Sequence, residues 1–321
     1  MIRGEKKDRD NDNLEDERLV VPGPSQPPPP QSIYKLIHNC RREKGEDFTH
    51  TSFLRPKCAF YVPAPFRKEF QDAYCDAFRK GEDLYITERH RIIGPVLVDL
   101  DFRFEQPAST SSPSHSADAA AVQDHPPPLA HAYDESHVAL FVESICRVVS
   151  HYVATPSRYE VLVLEKSRPT KDNNTGLIRD GIHIVIPDVV TRPVVQYVMR
   201  ERLLEDARFN KVVKSLKPVN KMEDIVDKGV IEHANWMMYG SKKPGSEPYV
   251  VTRSFSFHAP SQKLDPSEVL DAREHYRYVD RLSIRNKFEE SELRPDVKAE
   301  VDELQAQIDD KQKKRAVIQK M

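Results

Sequence analysis

Two aspartates spaced two residues apart, Asp99 and Asp101, close a run of β-forming residues from Gly94 to Phe104 that reads GPVLVDLDFRF. Side chains in a strand alternate between faces, so positions i and i+2 point the same way, about 7 Å apart along one surface. Carboxylates so placed offer hard oxygen ligands of the kind that Mg²⁺ or Mn²⁺ takes. The plainer alternative is a turn whose acids cap a nearby helix, and the pattern alone leaves both open. Val96, Leu97, Val98 and Leu100 are all apolar, which predicts a central strand covered on both faces.

The elements that must hold these acids can be read from the periodicity on either side. Ile33, Leu36 and Ile37 predict a short helix, and Phe60, Tyr61 and Val62 an extended segment ending at Pro63. Pro65 opens a helix in which Phe66, Phe70, Tyr74 and Phe78 recur every four residues and Gly81 is the stop; Leu84 to Thr87 predict a strand. Beyond the acids, Leu140, Phe141, Ile145, Val148, Val149 and Tyr152 trace a helical stripe ended by Pro156. Tyr159 to Leu164 and Gly181 to Pro187 predict strands, Pro193 to Leu216 a helix with Arg and Lys on its outer side, and Ile225 and Val226 lead into Asp227. The class is α/β (α+β): an N-terminal α/β unit, then β-α-β-β-α-β between Pro95 and Ile231, the ferredoxin-like (RRM-like) order. In that topology the first strand lies between the third and the fourth. Asp99, Asp101, His183 and Asp227 are therefore expected on adjacent strands.

Together these side chains suit phosphoryl or nucleotidyl transfer, in which two divalent ions about 4 Å apart need several carboxylates. Asp99, Asp101 and Asp227 can supply them. His183 lies between Ile182 and Ile184, so it faces opposite to both and can turn a hydrogen-bond donor toward a triphosphate; a structural histidine is the alternative. Ser241, Lys242 and Lys243 sit between two glycines in NWMMYGSKKPGSEPY, where backbone N–H groups and an ammonium can meet phosphate. An ordinary basic turn with a buried Trp236 would read the same way.

The 321 residues carry a net charge of −2, so any basic surface is local. The polar excess, with a mean hydropathy of −0.64, falls in separate segments. Residues 1–30 end in PGPSQPPPP and are expected to be a disordered tail. Residues 105–135 are rich in Pro, Ser, Ala and His without Lys or Arg, and read as a disordered insertion within a domain spanning 31–290. The histidines of that stretch and its end, His115, His125, His131 and His137, have no metal-ligand spacing and are expected to be solvated. Residues 291–321 form a C-terminal helix or linker, with Val297, Val301, Leu304 and Ile308 at 4-3-4 spacing as a coiled-coil seam or one side of a solvated helix. Cys40, Cys58, Cys75 and Cys146 show no CxxC spacing, and no apolar run approaches about 18 residues. The chain is expected to be intracellular, with reduced thiols and no membrane span.

The order VDLD, then RDGIHIVIP, then IVDKGVIEHANWMMYGSKKPGSEPY resembles the three motifs of the archaeo-eukaryotic primase superfamily. It is most similar to the primase region of the poxvirus-type primase–helicases of nucleocytoplasmic large DNA viruses, and THTSFLRPKCAFYVP at Thr49 to Pro63 resembles that group's upstream segment. The resemblance spans about residues 31–290. It implies a primase catalytic core that makes short primers on single-stranded DNA from NTPs or dNTPs with two Mg²⁺ or Mn²⁺ ions. Asp99, Asp101 and Asp227 would bind the metals and His183 the incoming nucleotide, while Lys243, Arg179 and Ser241 would contact phosphates. It further implies a replicative helicase as partner, fused or separate, and a viral replication compartment in host cytoplasm or nucleus. Two departures stand out: no GxxxxGK[ST] loop occurs before Met321, and the insertion directly after the DxD strand is atypical. Two other readings stay open. One is a metal-dependent nuclease or strand-nicking replication initiator, which would need a histidine pair and a tyrosine nucleophile where these strands carry one histidine. The other is a catalytically inactive DNA-binding replication subunit.

Overall fold

The computed structural model describes residues 32–106, 129–287 and 289–318, the side chains of 311–318 excepted. The tail at 1–30, most of the insertion at 105–135, and His115 and His125 lie outside the described residues. Among the described residues no helix is long and apolar enough to cross a membrane.

A small sheet is built first. Helix α1 (Ile33–Asn39) buries Ile33 and Ile37, one turn apart. Strands β1 (Arg41–Arg42), β2 (His50–Ser52) and β3 (Cys58–Phe60) follow, and β3 pairs antiparallel with both of its predecessors. Helix α2 (Arg67–Arg79) begins two residues after Pro65, buries Phe70, Ala73, Tyr74 and Ala77, and is followed by Gly81 at φ +70°. A backbone turned that way suits a residue without Cβ. Strand β4 (Ile86–Glu88) then lies beside β2.

The larger sheet starts with β5 (Gly94–Phe104), the acid-bearing strand. Helix α3 (Glu135–Tyr152), β6 (Arg158–Glu165), the short β7 (Thr170–Lys171) and β8 (Ile178–Thr191) come next, then α4 (Pro193–Glu205) and α5 (Ala207–Leu216). Short helices α6 (Met222–Ile225) and α7 (Gly229–Glu232) flank Asp227; β9 (Trp236–Met237) completes the small sheet, in the order β1-β3-β2-β4-β9. The hairpin of β10 (Val250–His258) and β11 (Lys263–Ser267), which the periodicity did not reveal, extends the large sheet to β11-β10-β6-β8-β5. Helices α8 (Tyr278–Arg281) and α9 (Lys298–Ile318) end the described chain.

Four expectations need correction. First, β5 is an edge strand: it pairs along its length with β8, and among the described residues its other side meets only the single Leu100–Val226 bridge and bonds such as Val219 N–H to the Arg103 carbonyl, 2.8 Å. Its apolar run is continuous because both faces are covered by other layers. Val96, Leu100 and Phe102 pack in the core beneath α3 and α4, whereas Leu97 packs in the core shared with the small sheet. The fourth strand of the ferredoxin-like pattern is reduced to that bridge, and β5 still lies between it and β8.

Second, the helix expected over Pro193 to Leu216 breaks at Asp206, whose carboxylate accepts from Phe209 N–H at 2.7 Å and caps α5. Third, Arg200 on α4 is buried rather than outward, donating to the carbonyls of Val226 (2.8 Å) and Glu223 (2.7 Å). Fourth, the α9 seam faces the chain's own core: Val297 and Val301 are buried in it, and Leu304 and Ile308 pack against it. The end of the insertion is also tied down. His131 bonds Asp180 at 2.9 Å, Tyr133 packs on Phe102, and His137 forms a capping box with Asp134 at the start of α3.

Arg200 thus clamps the segment that carries Asp227. Replacing it by leucine strands the buried Val226 carbonyl and releases the part-buried Glu223 carbonyl, and Arg200→Leu is expected to lower unfolding stability by about 1–3 kcal/mol. Urea denaturation measures this; an unchanged midpoint would show that the clamp holds nothing.

Candidate active site

The β5–β8 register places Asp99 opposite His183 and Asp101 opposite Gly181. Strand alternation then turns the two acids and the imidazole to the face away from α3 and α4. Asp227 reaches the same place through its backbone: its N–H donates to the Asp99 carbonyl at 3.0 Å. One of its carboxylate oxygens accepts from Gly229 N–H at 2.8 Å; the capping turn weighed for Asp99 and Asp101 is not what the chain forms there, since both lie within β5. Burial, then the neighbouring charges of Asp101 and Asp227, push the Asp99 carboxyl up to about 7. Burial raises Asp101 as well, against the pull of Arg179 and Arg103.

His183 is held by aromatic rings. Its imidazole stacks on Tyr249 with centroids 3.6 Å apart and lies 4.6 Å from Trp236. Burial, helped by the charges of Lys166 and Lys243, lowers it to about 3, so the ring is neutral near pH 7. Its Nε2 lies 3.6 Å from Asp99 Oδ1, too long for a firm hydrogen bond. Gly181 makes the stack possible, since a Cβ there would lie 2.8 Å from the Tyr249 hydroxyl and 3.2 Å from the Leu100 carbonyl.

The acids and His183 open onto a cleft of about 450 Å³ that Thr87, Asn235 and Trp236 line from the small-sheet side. Lys166, Arg168, Arg179, Lys242 and Lys243 also line it. Of the predicted phosphate contacts, Lys243 has no ion pair among the described residues, and Arg179 lies 3.4 Å from Asp172. Ser241 differs: its buried hydroxyl meets Tyr74 at 2.8 Å and accepts from Ile86 N–H at 3.0 Å, which braces the turn bearing Lys242 and Lys243. Lys242 is paired with Asp83 at 2.5 Å.

Lys166 and Tyr249 were not foreseen. The one available signal for Lys166 was register, because Glu165 pairs with Ile182 and the next residue comes level with Gly181. Tyr249 precedes β10 without any periodic pattern.

Among the described residues no three His, Cys, Asp or Glu side chains converge closely enough to form a ready metal cage. The donor set nonetheless suits a hard divalent cation. Asp99 and Asp227 have no Lys or Arg within ion-pairing distance among the described residues, and the charge of Asp227 raises the proton affinity of Asp99 and Asp101, both already raised by burial.

Residues 49–255 match the family model described as the C962R protein N-terminal AEP (archaeo-eukaryotic primase) domain, a span that contains every residue named in this site. The chain is 30% identical over 272 residues to the "Putative helicase L207/L206" of Acanthamoeba polyphaga mimivirus, covering 82% of this chain and 26% of that protein. It is 22% identical over 241 residues to the "Putative helicase 184R" of Invertebrate iridescent virus 6, covering 69% of this chain and 23% of that protein. The chain therefore spans about a quarter of the length of these relatives.

The crowded acids set a pH dependence. Asp99 holds its proton more tightly folded, at about 7, than at its ordinary value of 3.8, so its ionisation opposes folding. That penalty is absent below pH 3.8, grows as pH rises to about 7 and is constant above. In EDTA, Asp99→Asn is expected to melt above wild type at pH 8, by about 2–4 °C per kcal/mol of burial and repulsion cost relieved, and level with it near pH 4. Scanning calorimetry at both pH values checks this; a variant less stable than wild type at pH 8 would contradict it.

Proposed function

This chain belongs to the archaeo-eukaryotic primase family of the C962R type, and from that premise we propose that it synthesises short primers on single-stranded DNA by nucleotidyl transfer. A primase-like role in replication is what the family match and the two viral relatives support. The observation that carries the finer reading is the backbone bond from Asp227 to Asp99. It joins a third carboxylate to the DxD pair on the floor of a cleft walled by lysine and arginine.

In this reading Asp99, Asp101 and the unbonded oxygen of Asp227 hold two Mg²⁺ or Mn²⁺ ions. The ions supply activation of the attacking 3′-hydroxyl and neutralisation of the leaving pyrophosphate. Lys243 and Arg179 bind the phosphates of the incoming NTP or dNTP, and Ser241 keeps the lysine turn in place. Neutral His183, fixed by Tyr249 and Trp236, donates a hydrogen bond to a phosphate oxygen without adding charge. The template needs little base readout, so its backbone is held by local cations and its binding weakens with salt. The names of the relatives support a helicase as partner, fused or separate; a viral replication compartment as the place of action is part of the proposal.

The test is synthesis on single-stranded DNA with Mg²⁺ or Mn²⁺, offering labelled NTPs and dNTPs separately. Wild type is expected to yield short products that disappear in the Asp99→Ala/Asp101→Ala double variant while the fold is retained. Equal product from that variant would overturn the assignment, and cutting of the DNA without nucleotides would point to a nuclease.

A further inference from the structure

Three features of the cleft converge on one aromatic ring. Tyr249 stacks on His183 at 3.6 Å with an interplanar angle of 18°. The Lys166 ammonium lies 5.0 Å from the centre of the same ring, within reach of a cation–π attraction. The tyrosine hydroxyl fills the space above Gly181, where a Cβ would come within 2.8 Å of it. The ring therefore ties together the neutral imidazole, a cation, and the point of β8 opposite Asp101.

Lys166 itself is unusual in its surroundings. It is half withdrawn from water and has no ion pair among the described residues, and its charge acts on Asp99, Asp101 and His183. Burial, then repulsion from Lys243 across the cleft, lower its proton affinity against the pull of Asp101, Asp99 and Glu247. Two lysines that repel each other above three carboxylates leave a gap suited to a polyanion carrying its own cations. A metal-bound triphosphate has that chemistry: its phosphate oxygens would meet both ammoniums while its metals meet the acids.

We propose that Lys166 is a second lysine binding the triphosphate of the incoming nucleotide, and that Tyr249 is the positioning residue that holds Lys166 and His183 toward it. The proposal rests on the nucleotidyl-transfer reading and adds to it the residues that recognise the phosphate chain.

Binding rather than synthesis tests it. The full chain is titrated with ATP, dATP and AMP in Mn²⁺ by calorimetry, with melting temperatures recorded for each variant. Lys166→Met keeps an unbranched chain against the ring and is expected to weaken ATP and dATP about tenfold, the loss of one charge-assisted contact, with AMP little changed. Lys166→Arg is expected to restore most of the triphosphate affinity. Tyr249→Leu, which removes the ring, should weaken ATP as much as Lys166→Met does. ATP binding unchanged in Lys166→Met would remove this inference alone. An equal loss for ATP and AMP with a lowered melting temperature would also overturn it, by assigning Lys166 to the fold. A folded wild type that binds no ATP would remove the nucleotidyl-transfer reading and this inference with it.

Discussion

Like charges must be held together in this cleft, and a backbone hydrogen bond does it. Asp227 N–H donates to the Asp99 carbonyl at 3.0 Å, so the third acid is fixed by main chain and its side chain need not attract its neighbours. The Leu100–Val226 bridge continues the contact, and Arg200 grips the Val226 carbonyl from below. Bonds of this kind survive repulsion between the carboxylates because the donor and acceptor lie in the polypeptide itself. The Asp99 carboxyl, raised first by burial and then by the charges of Asp101 and Asp227, registers the cost of that placement. Rigid acids that repel one another are prepared for cations, which is a stability cost placed where a function would use it.

The edge position of β5 makes that arrangement open. A full fourth strand beside β5 would take up its backbone groups with a regular ladder, and Asp227 would then lie within a strand rather than at a turn. Reducing the strand to one bridge lets the chain turn at Asp227 into α7, with Gly229 N–H holding one carboxylate oxygen. Alternation along β5 divides the labour: Val96, Leu100 and Phe102 anchor the strand in the helical core, while Leu97 and the acids face the small sheet. The two sheets thus form opposite walls of one cleft. The small sheet brings Trp236 against His183 and, through Ser241, steadies the lysine turn.

Much of this was legible because it rests on local rules. The bounds of β5, the shared face of Asp99, Asp101 and His183, and the place of Asp227 next to the first strand all follow from period-two alternation and the ferredoxin-like element order. The edge position was hidden, since an apolar run records that both faces are covered but not what lies at the strand's sides. Arg200 was misread because a basic residue in an amphipathic helix is expected to be solvated, and its partners are backbone carbonyls 23 and 26 residues away. Lys166 and Tyr249 carry no periodic signal; their meaning comes from register and from a ring crossing Gly181. The seam of α9 showed its apolar side correctly but could not say that the surface it meets belongs to the same chain.

The measurement closest to the central claim asks whether Asp227 and Asp99 act as one proposed cation site. Electron paramagnetic resonance of Mn²⁺ titrated into the protein, with and without dATP, reads bound and free ion directly. Wild type is predicted to take up Mn²⁺ tightly, more so with dATP, and both Asp227→Asn and Asp99→Asn to lose most of that uptake while remaining folded. Undiminished Mn²⁺ binding by folded Asp227→Asn would contradict the account, because the backbone bond would then have joined a carboxylate to the cleft that the cations do not use.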